Sequence, residues 1–411
     1  MRLQRGVWTL AILAILLAPP LVASSDGYPP DFVVDLRQFG YQEPNDQQLL
    51  WTYQGLKNPT IFVDNETLAV SYFVQNRKPG LSVRGQVLGG THLFQTLFLE
   101  SKSGKVLRSQ QWSNAGVGRG IFPAADGRFV IWHDLELDLH APDGTLLKTL
   151  AMDPKRFPRG FSIQQSPSGS TLFAVRIDHD GNHVYSIRTA DLQEGMALDL
   201  PGYFSNAGSD SYFAFLRPRA KINPPMDLFV YPLAGTVPAS SVGKPLFTSE
   251  LGCNSVVFLD DETLGVSGQC PDLTLVSTSG EVKYHQRFDG SLTGAITACR
   301  SCDLLFFSTY VLSGGSALLD TFPKGKTKGV VLLDRRTGHQ VEWRRKTPVK
   351  HPHVGSAALS PDGCTLAVLN DWHLEAYRIC GSSVGKKLQT GQTVGQGSPV
   401  QRAASGASHR E

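Results

Sequence analysis

Pro361-Asp362-Gly363-Cys364-Thr365-Leu366-Ala367-Val368 sets a tight polar turn in front of an apolar run, and the same phrase recurs along the chain. Asp64-Asn65-Glu66 precedes Leu68-Ala69-Val70-Ser71-Tyr72-Phe73, Asp126-Gly127 precedes Phe129-Val130-Ile131-Trp132, and Pro167-Ser168-Gly169 precedes Leu172-Phe173-Ala174-Val175. Gly208-Ser209-Asp210, Asp260-Asp261-Glu262 and Arg300-Ser301 stand in the same place before Tyr212-Phe213-Ala214-Phe215, Leu264-Gly265-Val266 and Leu304-Leu305-Phe306-Phe307. Seven units are visible.

Several units add a third run and a second turn, as in Leu97-Phe98-Leu99-Glu100 before Ser103-Gly104 and Val331-Leu332-Leu333-Asp334 before Thr337-Gly338. Glycine reaches positive φ without steric cost, so these dipeptides suit tight hairpins. Each unit is therefore an antiparallel meander, and a period of about 40 to 50 residues with four strands each is the signature of propeller blades. The expected fold is all-β, a β-propeller of seven four-stranded blades. Six or eight blades, or an open solenoid, are the alternatives. The last unit ends at Cys380 with three clear strands, while Phe32-Val33-Val34-Asp35-Leu36 and Leu49-Leu50-Trp51-Thr52-Tyr53 stand unassigned before the first. One of these N-terminal segments is expected to complete the last blade and remove two exposed sheet edges.

The turns Ser360-Pro361-Asp362-Gly363 and Gln165-Ser166-Pro167-Ser168-Gly169, with the Leu-Ala-Val and Leu-Phe-Ala-Val that follow, resemble repeats of the bacterial YVTN and WD40-like propeller superfamily. The resemblance covers most of residues 55 to 380 and implies the fold alone, because such repeats serve lactonases, quinone-dependent dehydrogenases, protease propeller domains and pure binding proteins alike.

The two ends differ from this body. Arg2 and Arg5, the apolar run Val7–Leu17, Pro19-Pro20 and Val22-Ala23-Ser24-Ser25 follow the order of a secretory signal peptide, so residues 1–25 are expected to be cleaved. A retained anchor is the alternative, but the run is shorter than the roughly 20 residues a bilayer needs. Residues 26–380 form the propeller. Residues 381–411, rich in Gly, Ser, Gln and Lys, are expected to be a disordered tail. The chain carries a net charge of +3. The leader accounts for two positive charges and the tail for an excess of three, which leaves the body near −2. Such a body lacks the concentrated basic footprint that nucleic-acid or membrane-surface binding needs.

Six cysteines on an exported chain point to disulfides. Cys253 and Cys270 flank the Asp261-Glu262 turn symmetrically, and an even-loop hairpin closing at Asp260 and Thr263 sets them opposite each other. Cys364 and Cys380 are likewise symmetric about Trp372, with an odd loop between. Cys299-Arg300-Ser301-Cys302 is a C-x-x-C in a strand-to-strand turn, where a cross-turn disulfide competes with a redox pair. A redox pair needs a helix N-terminus or a similar feature to lower one thiol pKa.

No nucleophile elbow, zincin helix, phosphate loop or dinucleotide fingerprint occurs. His179-Asp180-Gly181-Asn182-His183 suggests a metal, yet Asp180-Gly181-Asn182 is ordinary turn chemistry. Asp134, Glu136 and Asp138 read as one solvated strand face, and Asn65-Glu66-Thr67 matches a glycosylation sequon. No cofactor or metal is expected. Loop length says more. The connections between second and third strands are long at Gln75–Thr91, Arg217–Met226 and Val311–Lys328, and elaborated loops on a rigid scaffold carry function. Arg84, Arg119, Arg159 and His353 enter the inner strands on that side or lie in its first long loop, and are candidates for an anion site at the channel mouth. Their alternative is to stay solvated or to satisfy carbonyls of a neighbouring blade. The expected function is that of a monomeric, secreted or periplasmic propeller binding a protein or envelope component through this face. The rival is a lactonase-like hydrolase or cofactor-dependent oxidoreductase working in the channel.

Overall fold

A computed structural model describes residues 28–43, 56–343 and 357–390, apart from positions 79–80, 84–85, 89–90, 116–117, 159, 178–180, 201–204, 220–224, 234–243, 269, 289–291, 294–295, 313–324 and 371. Its strands pair into seven antiparallel meanders, here blades 1 to 7 with strands A to D from the channel outward. The inner strand of blade 6 is broken into Leu292–Thr293 and Thr297–Ala298, both paired with Leu304–Leu312. Blade 7 takes its outer strand from the N-terminal candidate Phe32–Asp35, which lies antiparallel to His373–Arg378 with Val34 opposite Leu374.

The alternation of the strands explains the core. Among the described residues seven apolar clusters occur, and each joins two neighbouring blades. One unites Phe94 and Phe98 of blade 1 with Phe129 and Ile131 of blade 2; another unites Val34 and Leu374 of blade 7 with Leu68 and Leu97 of blade 1. A single blade cannot bury both of its faces, so the ring is the smallest unit in which every apolar face is covered. The turns permit this spacing. Gly363 adopts φ +71°, in the left-handed region where a side chain is strained.

The three disulfides join Cys253 to Cys270, Cys299 to Cys302 and Cys364 to Cys380, with Cα separations of 4.9, 5.4 and 4.7 Å. The register around two of them differs by one residue from that expected. Phe258 faces Leu264, so three residues, Asp260 to Glu262, make the turn of blade 5 where an even loop was counted. Asn370 faces His373 in blade 7, an even loop where an odd one was counted. The bonds still form because the cysteines lie at the ends of the paired strands, where one sulfur reaches its partner from an adjacent row.

Two further differences concern connections and the C-terminus. The long connections are in part strand. Thr67–Lys78 and Thr91–Glu100 of blade 1 pair beyond Gln75, and a small ribbon, Leu81–Val83 with Gln86–Leu88, lies between them. Val311 pairs with Lys326 in blade 6. Where the tail was expected to begin, Ser383–Thr390 is a helix. The Ser382 hydroxyl accepts the Gly385 N–H at 3.2 Å as a cap, and Val384 and Leu388, one turn apart, are buried against blades 6 and 7. No described helix is long and apolar enough to cross a membrane.

Candidate functional site

A propeller channel has two mouths. The chain enters each A strand at one end, beside the B–C connections, and leaves it through the A–B turns at the other. Of the four residues expected to ring the entry mouth, Arg84, Arg159 and His353 lie outside the described residues. Arg119 opens strand A of blade 2 and is buried. Its guanidinium lies 5.6 Å from the Phe94 ring centre and its Nη1 donates to Asn114 Oδ1 at 3.5 Å, both in blade 1. That places the side chain between blades 1 and 2.

The sequence reading missed Lys57. Its backbone pairs with the free inner edge of blade 2, donating to the Arg119 carbonyl at 2.9 Å and accepting from the Ile121 N–H at 3.1 Å. The side chain is exposed to water, yet the surrounding protein lowers its pKa, as expected for an amine standing inside the ring. Partial loss of hydration is the cause of that shift, and no carboxylate contributes to it.

The other mouth holds a cavity of about 260 Å³ bounded by the turns of blades 3, 4, 5 and 6. Aspartates line it because Asp is a good turn former: its carboxylate caps the backbone of its own loop, as Asp260 Oδ1 does for Glu262 N–H at 2.8 Å. Neighbouring turns are then tied to one another. Asp210 Oδ1 accepts from the hydroxyls of Ser170 at 2.6 Å and Thr171 at 3.0 Å in blade 3, and Asp261 Oδ1 accepts the Asp210 N–H at 2.9 Å from blade 5. Arg335 of blade 6 pairs with Asp303 at 3.0 Å and with Asp260 of blade 5. Burial pushes the Asp210 and Asp260 carboxyls up, but serine and threonine hydroxyls at Asp210, and the Glu262 N–H and Arg335 at Asp260, leave both below the usual carboxylate range.

Arg300 stands apart from this web. It occupies the turn position that acidic residues and serines take in other blades, inside the four-residue loop closed by Cys299–Cys302. Its side chain crosses toward blade 3, where a β-carbon at Gly169 would lie 3.2 Å from Nη1. It is partly exposed to water, and burial by the surrounding turns lowers its pKa to about 10. Among the described residues no hydrogen bond or ion pair to its guanidinium occurs.

On the outer part of blade 2, Asp138 is joined to His133 at 2.9 Å and to the Thr149 hydroxyl at 2.5 Å. The hydrogen bond to Asp138 raises the His133 pKa. His183 pairs with Asp199 in blade 3, while His179 and Asp180 lie outside the described residues. No three His, Cys, Asp or Glu side chains converge as a metal site among the described residues.

No family model matches the chain, and no curated protein matches it. Solved structures do. A chain in the crystal structure of a mitotic checkpoint complex is 14% identical with a TM-score of 0.50, over 88% of this chain and 94% of that one. Chaetomium thermophilum Raptor is 8% identical with a TM-score of 0.53, over 86% of this chain and 28% of that one. These neighbours are WD40 β-propellers. At such identities the likeness concerns the fold, which hosts many unrelated functions.

Proposed function

We propose that this chain is an exported, non-catalytic propeller that binds a protein or envelope component through the face bearing the B–C connections, and that its repeats belong with the bacterial YVTN-like group. The observation that carries the reading is the elaboration of that face in blade 1. The paired strands of blade 1 run to 12 and 10 residues before their B–C connection and carry an added ribbon, whereas the corresponding strands of blade 2 have 5 each. Extended hairpins on a rigid ring are a typical place for recognition. The leader-like N-terminus supports export, and three disulfides fit an oxidising compartment.

Site-specific photo-crosslinking in the producing cell tests this. A crosslinker at Ser82 or Val87 of the blade 1 ribbon should give a discrete adduct on the extracytoplasmic side. The same crosslinker at Asp126 or Asp362 in the A–B turns should give none. Adducts from the turns alone, or a protein retained in the cytoplasm, would refute the reading.

A further inference from the structure

We infer that the turn-face mouth of the channel is a binding site for a small zwitterion of the α-amino-acid class, with the ligand carboxylate on Arg300 and its ammonium among the rim aspartates. Three observations lead there. The first is the guanidinium itself. Taking a cation out of water without a partner is costly, yet the nearby acids are engaged elsewhere: Asp260 and Asp303 by Arg335, Asp210 by Ser170 and Thr171. The planar fork of Arg300 thus faces a cavity of about 260 Å³ with its donors unused by those groups. That fork matches a carboxylate in two parallel hydrogen bonds.

The second observation is the charge of the lining. Asp210, Asp260, Asp261 and Asp303 outnumber Arg300 and Arg335, so a bare anion meets a negative rim and a ligand must bring a positive group with its carboxylate. The third is rigidity. The disulfide loop holds Arg300 at its base, and Gly169 leaves room at its tip; a preformed contact of this kind spares the cost of ordering it on binding. The volume lies just under the roughly 300 Å³ at which drug-sized pockets begin, which suits a ligand of a few heavy atoms. The site is on the opposite face from the one proposed to bind a partner, so the two readings fail separately.

Calorimetric titration of the intact oxidised protein with L-alanine, L-lysine, L-glutamate and acetate decides the matter. Saturable binding of alanine is expected, tighter for lysine, weaker for glutamate and weakest for acetate. Arg300→Gln should weaken alanine binding by at least about tenfold, the scale of a lost charge-assisted pair, without changing the melting curve. Should that variant fold poorly, nitrogen-15 NMR of the wild type replaces it: alanine should shift one arginine Nε–H resonance. The proposal is overturned if none of the three amino acids binds saturably, if acetate binds as well as alanine, if Arg300→Gln binds like the wild type, or if no arginine resonance moves.

Discussion

Blades 1 to 4 and blades 5 to 7 share one architecture and are held together by different means. Among the described residues the fully buried large aromatics include Tyr72, Phe94, Phe98, Phe122 and Phe129 in blades 1 and 2, Phe173 in blade 3, and Phe213 and Phe215 in blade 4; of the fully buried large aromatics described, Phe307 alone comes from the last three blades. All three disulfides lie in those last three blades. Aromatic packing stabilises through burial and dispersion in the folded state. A disulfide acts largely by restricting the unfolded chain. One ring can thus combine two mechanisms, and they should respond to different perturbations.

The sharpest way to break the comparison is at Phe98, which packs 5.0 Å from the Phe129 ring and carries the Arg108 guanidinium 3.3 Å above its own. Phe98→Ala should cost about 3–5 kcal/mol in denaturant unfolding, with the same loss in the presence and absence of reductant. Next comes the removal of Cys364–Cys380 by a double Ser substitution, which should cost about 2–4 kcal/mol. Reductant should add less to this variant than it takes from the wild type. If reduction leaves the wild type unaffected, the division of the ring into two halves is wrong.

The smallest effect is a near-neutral pH dependence from two histidines of blade 2. The pKa of His133 is raised by its Asp138 hydrogen bond. Its stabilisation is therefore full below the unfolded value of about 6.5 and is lost as pH rises through the folded one. Burial lowers the pKa of His140 against the Phe129 ring, so its contribution is lost instead as pH falls below about 6.5. His133→Asn should remove up to about 1 kcal/mol at pH 6 and little at pH 9. Melting curves across that range check the sign.

The architecture was legible because each blade repeats a local phrase, and local turn chemistry is what a single sequence displays. Register was less so: whether the blade 5 turn holds two residues, Asp261-Glu262, or three, Asp260 to Glu262, depends on one backbone bond. The helix at Ser383–Thr390 was missed because only Val384 and Leu388 give it an apolar face, and blades 6 and 7, not propensity, make that face useful. The Arg300 cavity was illegible for a stronger reason. Its walls come from five turns of four blades that lie far apart in sequence, and each alone reads as an ordinary hairpin. Arg300 at a turn position otherwise given to Asp or Ser was the one available signal.

The outer strand of blade 7 is the first of the described strands, and its partner His373–Arg378 is the last. Phe32–Asp35 must therefore wait, unpaired, until His373–Arg378 has been made. Closure of so long a loop adds little to the equilibrium cost, which grows only with the logarithm of length, but contacts this distant in sequence slow folding. Until its last blade is present the ring therefore keeps two sheet edges open, the feature that closure removes.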